Sequence, residues 1–165
     1  MGLDMYLNVS ESISDYNYNR VDGEVTRTKN PVYSGVIAAA SLKVPNMAPS
    51  ISIEYTAIYW RKANQIHNWF VNTLADGVDE CQPIRVTRGD LVKLFNTCSE
   101  VLDNKSTEIA MELLPPASGF FFGSTTIDEW YWQDIEETHK QLTELLDEIT
   151  EENKWNYEIE YQASW

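Results

Sequence analysis

Apolar and polar positions alternate at the start of the chain, where Leu3, Met5, Leu7 and Val9 interleave with Asp4, Tyr6 and Asn8. This period of two is the pattern of a half-buried strand. Over residues 10–31 the pattern dissolves into Ser, Asn, Asp, Tyr and Gly, which reads as a long loop or an irregular hairpin turning at Val21-Asp22-Gly23-Glu24. Residues 32–42 are apolar and small, and fit a strand or a short helix. Beyond Pro45 and Pro49, residues 51–60 are the run richest in β-branched and aromatic side chains. They predict a strand that passes directly into a helix starting near Arg61 and ending at Asp76-Gly77. Ala63, Ile66, Phe70 and Leu74 recur at three-to-four spacing and mark the buried face of that helix. Arg61, Asn64, Gln65, Asn68 and Asn72 fall opposite this face, and His67 lies at its edge.

The second half is more regular. Residues 83–87 predict a short edge strand, followed by a helix capped by Thr87 or Asp90 and running through Leu102, with Leu91, Leu94, Phe95, Cys98, Val101 and Leu102 as its inner stripe. Residues 107–114 predict a third helix, stopped by Pro115-Pro116. Thr125 or Thr126 is expected to cap the last and longest helix, with Asp128 and Glu129 in its first turn, where the helix dipole favours anions. Ile127, Tyr131, Ile135, Thr138, Leu142, Leu145 and Ile149 form its stripe. A closing strand alternates Trp155, Tyr157, Ile159 and Tyr161 with polar partners. Strands at both ends with helices between them predict a single α+β domain over residues 1–165. Its antiparallel sheet includes both terminal strands and packs with about three to four helices.

Composition narrows the class. Six tryptophans, nine tyrosines and five phenylalanines place aromatic rings in the core and in any concave site. No stretch reaches the ~20 apolar residues of a membrane helix, and the N-terminus lacks the basic and apolar regions of a secretory signal. The expectation is a cytoplasmic protein with no membrane partner. Cys81 and Cys98 make no disulfide framework, and Cys98 reads as a small buried apolar residue.

The net charge of −14 is unevenly spread, with −10 of it falling in residues 128–160. Such a surface repels a phosphate backbone, so duplex nucleic acid is not a direct partner. The acidic stretch is either a solvated helix face or a surface that imitates nucleic acid and occupies a host protein's basic groove.

Three constellations could carry chemistry. Residues 59–70 crowd Tyr59, Trp60, Trp69 and Phe70 with Arg61, Lys62, His67 and the amides of Asn64, Gln65 and Asn68. A solvated face is usually rich in Glu and Lys, whereas amides and a guanidinium serve as directional donors. Residues 118–124, Ser-Gly-Phe-Phe-Phe-Gly-Ser, cannot turn all three rings to one core, so at least one ring is exposed or lines a cavity. In Asp128-Glu129-Trp130-Tyr131-Trp132 the two tryptophans diverge, and one is a candidate stacking platform. His67, His139, Cys81 and Cys98 lie on separate segments, so no metal site is expected. His67 with Asp128 or Glu129, and Ser118 or Ser124 as nucleophile, form an alternative hydrolytic set.

The opening Met1-Gly2-Leu3-Asp4-Met5-Tyr6-Leu7, the runs 59–71 and 113–124, Asp128-Glu129-Trp130-Tyr131-Trp132 and the final Ser164-Trp165 together resemble a family of small uncharacterised bacteriophage and prophage proteins. The resemblance spans most of the chain. It implies expression inside an infected bacterial cell and action on host machinery or host nucleotide signals. Together these readings give an accessory protein that holds a nucleotide-like ligand, with no cofactor and no metal, and sequesters a host defence signal. Its expected ligand-binding residues are Trp60, Arg61, Lys62, Asn64, His67, Asn68, Phe121 and Trp130. Two alternatives stand beside it: an acidic nucleic-acid mimic that inhibits a host enzyme, and an enzyme on a nucleotide or phosphorylated substrate with His67 as acid or base. Strand order and oligomeric state stay open.

Overall fold

The computed structural model describes residues 2–21, 23–40 and 49–165. Met1, Asp22, Leu42 and Pro45, which figure in the expectations above, lie outside these residues. The chain is α+β and divides into two compact units, Met1–Val9 with Tyr55–Trp165, and Ser10–Glu54.

A four-stranded antiparallel sheet contains β1 (Asp4–Ile13), β4 (Ile51–Arg61), β5 (Ile84–Val86) and β6 (Tyr157–Ser164) in the order β4-β1-β6-β5, and the larger unit holds residues 4–9 of β1, residues 55–61 of β4 and the whole of β5 and β6. Both terminal strands are central, and β5 is an edge strand as expected. The alternation predicted for β1 holds, because Leu3, Met5, Leu7 and Val9 are all fully buried. Ile58 and Trp60 on β4, Ile84 and Val86 on β5, and Ile159, Tyr161 and Ala163 on β6 join them in the core. Helices α2 (Asn64–Leu74), α3 (Arg88–Asn104), α4 (Thr107–Leu113) and α5 (Glu129–Glu148) supply the rest, led by Ile66, Phe70, Leu91, Leu94, Cys98, Val101, Ala110, Tyr131, Ile135 and Leu142.

Three boundaries differ from the sequence expectation. Strand β4 runs through Arg61, because the Lys62 amide donates to the Leu3 carbonyl at 2.8 Å and so continues the pairing with β1. Lys62 then turns left-handed at φ 61°, and α2 starts only at Asn64. The cap of α5 is Asp128, whose Oδ1 accepts from the amides of Trp130 (3.1 Å) and Tyr131 (3.2 Å). Thr126 is instead drawn into a local turn, its amide donating to Ser124 Oγ. Trp155 belongs to a 3-10 turn, Lys154–Asn156, and is exposed, with the Lys154 ammonium over its ring, so β6 begins two residues later than expected.

Other punctuation follows the sequence. Thr87 and Asp90 form a reciprocal capping box on α3. Asp76 and Gly77 both take positive φ after α2, where the Gly77 amide donates to Val71 O.

The smaller unit contains a regular hairpin, β2 (Tyr16–Val21) with β3 (Glu24–Lys29), paired from Tyr16↔Lys29 to Val21↔Glu24. Gly23, at φ 84°, supplies the positive dihedral that a two-residue turn requires. The segment left open between strand and helix is α1 (Pro31–Ala39), capped by Asn30 with Pro31 in its first turn. Among the described residues, no helix is long and apolar enough to cross a membrane.

Candidate functional site

The site starts from an asparagine. Asn64 is 2% exposed, and its side chain reaches only main-chain atoms of the loop between α4 and α5. Its Nδ2 donates to the carbonyls of Phe122 (3.0 Å) and Ser124 (2.8 Å), and its Oδ1 accepts from the Ala117 amide (3.1 Å). One turn later, Asn68 Nδ2 donates to Pro115 O at 2.9 Å. Asn64 and Asn68 therefore anchor the loop, and the buried Gln65 reaches α5 instead of facing solvent. This overturns the reading of Asn64 and Gln65 as an outward polar set, since α2 is covered on a second side.

Within the loop the three phenylalanines diverge. Phe120 is 96% exposed, Phe121 is half-buried, and Phe122 is buried edge-on to the His67 ring. Gly119 makes room for that ring, because a Cβ there would sit 2.6 Å from Phe122 Cγ. The Phe121 carbonyl accepts from the Leu3 amide, tying the loop to β1.

Anchored in this way, the end of the loop and the first turns of α5 enclose a hollow of about 310 Å³ against the β4–α2 corner. Arg61 and Lys62 contribute exposed cations, and Gly123, Ser124 and Thr126 form the loop side. From α5 come Asp128, Trp130, Tyr131 and Asp134, with the buried Gln65 from α2. Trp130 is 73% exposed, so its ring is available for stacking. Asp134 is one helical turn further along the same face. Its Oδ2 accepts from Gln65 Nε2 at 3.2 Å. Burial pushes the Asp134 carboxyl up to about 6; the Gln65 hydrogen bond opposes this, and the charges of Glu137 and Asp128 add to it. Tyr131 is fixed by its hydroxyl, which donates to Leu114 O, and burial holds that hydroxyl well above the ordinary tyrosine range.

Of the residues singled out from sequence, Arg61, Lys62, Asn64 and Trp130 come together here. The others lie elsewhere. Trp60 is in the core, its indole N–H donating to Thr138 Oγ1 at 2.8 Å. His67 is 2% exposed, with Nδ1 2.7 Å from the Tyr161 hydroxyl and Nε2 3.0 Å from Asp79 Oδ2. A single donor pattern satisfies all three groups: Tyr161 O–H donates to Nδ1, and Nε2–H donates to Asp79. Asn68 and Phe121 belong to the anchoring of the loop. Asp134, Gln65 and Thr126 were not among the expected ligand residues. The four-residue spacing of Trp130 and Asp134 was the available signal for Asp134.

A second hollow, lined by Lys105, Glu129, Trp132, Gln133 and Glu136, has its cation already paired, with Lys105 Nζ 3.2 Å from Glu136. Among the described residues, no group of three or more His, Cys, Asp or Glu side chains could hold a metal ion. Cys98 is buried, and desolvation pushes its thiol up to about 12, so it packs as an apolar residue. No protein-family model, curated protein or solved structure matches the chain.

Proposed function

We propose that the chain is a binding module for a small nucleotide-like ligand. The observation that carries this reading is the convergence of two exposed cations with no ion-pair partner among the described residues, an exposed indole and an anchored Gly-Ser loop on one hollow. Arg61 and Lys62 suit a phosphate, and the guanidinium can meet it in bidentate fashion. The face of Trp130 suits a base, since stacking on an aromatic side chain contributes roughly 1–3 kcal/mol. A hollow of about 310 Å³ lies at the small end of ligand sites, the right scale for a mononucleotide whose sugar stays in solvent.

The resemblance to phage proteins supports a use for such a site, the sequestration of a host nucleotide signal. The enzyme alternative would need His67 as acid or base; His67 does not line the hollow, and both of its ring nitrogens are hydrogen-bonded.

Thermal-shift and calorimetric titration with mononucleotides and cyclic dinucleotides at millimolar concentration tests the reading. Binding is expected to weaken at least tenfold in Arg61→Ala and in Trp130→Ala. A flat response across the whole panel would overturn it.

A further inference from the structure

We propose that Asp134 gives the hollow a preference for a guanine-type ring, one that offers two adjacent N–H donors along a single edge. The inference rests on the binding reading above and names the ligand class of the same site.

Two carboxylates line the hollow, and they are not equivalent. Asp128 is committed to the fold, because its Oδ1 caps α5 through the amides of Trp130 and Tyr131. Asp134 lines the hollow and accepts one side-chain hydrogen bond, from Gln65 to Oδ2. A carboxylate has two oxygens and about four lone-pair sites, so Asp134 keeps capacity for a further pair of donors. Gln65 is itself buried and also reaches toward Tyr131 O, at 3.5 Å, which fixes the carboxylate from behind.

The position of Trp130 supplies the orientation. A ring lying on this indole, one turn before Asp134 on the same helix face, presents its edge to the carboxylate. An ionised carboxylate accepts and never donates. Guanine offers N1–H beside the exocyclic N2 amine, which together make a bidentate match. Adenine and cytosine place a single amine beside a ring acceptor, which the carboxylate repels, and uracil offers one N–H between two carbonyls. At the opposite side of the chemistry, Arg61 and Lys62 supply the positive charge for the phosphate. Desolvation of Asp134 strengthens the selection, because a half-buried carboxylate gains from two donors that water supplies poorly there.

Calorimetry at pH 7.5 with GMP, IMP, AMP, CMP and UMP tests the inference. GMP is expected to bind tightest. IMP lacks the N2 amine and is expected to bind about tenfold more weakly, and AMP about a hundredfold more weakly. Asp134→Asn, which keeps the size of the side chain, is expected to bring GMP and AMP within about threefold, while Arg61→Ala weakens all five alike. Binding without a GMP preference in the unaltered protein overturns the role of Asp134 and leaves the binding site standing. So does a preference that survives Asp134→Asn. If no nucleotide binds, the binding reading fails and this inference fails with it. If Asp134→Asn does not fold, Asp134→Ser serves in its place, and the absence of a GMP preference in the unaltered chain overturns the inference without any variant.

Discussion

Gln65 and Asp134 meet between α2 and α5, with the Gln65 amide nitrogen 3.2 Å from the Asp134 carboxylate. One residue is 2% exposed and the other half-buried, so this contact is where the core of the larger unit opens onto the hollow.

Asp134 makes stability depend on pH. Its carboxyl titrates near 6 in the folded chain against an ordinary value of 3.8, so the folded state holds the proton more tightly than the unfolded state. Ionisation therefore costs stability: the cost is absent below about pH 3.8, grows as pH rises toward 6 and is complete above it. Asp134→Asn is expected to stabilise the chain by about 1 kcal/mol at pH 7.5, a figure reduced for partial solvent exposure, and to give no gain at pH 4. Urea denaturation of both proteins at the two pH values measures this. An equal gain at both would mean that the effect is not ionisation.

Asn64→Ala removes the anchor of the loop. The carbonyls of Phe122 and Ser124 and the Ala117 amide lose their side-chain partner together, and the expected loss is about 2–4 kcal/mol. Hydrogen exchange should accelerate at residues 117–124 before it does in α3. Exchange that is unchanged there would show that the loop is held by other contacts.

Gly119→Ala tests the packing of Phe122. The new methyl lies within 2.8 Å of several ring atoms, so the ring must shift from its edge-on place against His67, at an expected cost of about 1–3 kcal/mol. Combining Gly119→Ala with Phe122→Leu should recover part of that loss. A double-mutant cycle with no coupling would place the strain elsewhere.

His67→Phe separates scaffold from chemistry. The Tyr161 hydroxyl loses its buried partner and Asp79 loses a donor, so stability is expected to fall by about 2–3 kcal/mol. Nucleotide affinity in the folded fraction should stay within about twofold. A larger loss of affinity would bring His67 back to the ligand.

Where one side of an element faces the core and the other faces water, the sequence was readable. The alternation of Leu3, Met5, Leu7 and Val9 located β1, and the stripe of Leu91, Leu94, Cys98 and Val101 located α3. Periodicity misled at α2, because it assumes one buried face while this helix has two. Asn64 and Gln65 fall opposite the apolar face by spacing and His67 at its edge, yet each is buried against a segment far along the chain. The Lys62 turn was equally hidden, since it follows from a hydrogen bond to Leu3 that no local pattern encodes. Arg61, Lys62 and Trp130 were identifiable because exposed cations and a tryptophan off the buried stripe stand out by residue type. The hairpin of the smaller unit was offered only as an alternative, since its β3 strand is exposed along its whole length and carries no apolar alternation.

Asn64 grips the loop by its main chain alone, through two carbonyls and one amide. Anchoring is thereby uncoupled from the identity of the exposed side chains at Ser118, Phe120, Ser124 and Thr126. Ser118 and Phe120 can be rewritten without touching the Asn64 contacts, whereas Ser124 also shapes the loop through its hydroxyl, which accepts from the Thr126 amide, so the freedom to vary the exposed surface lies in the first half of the loop.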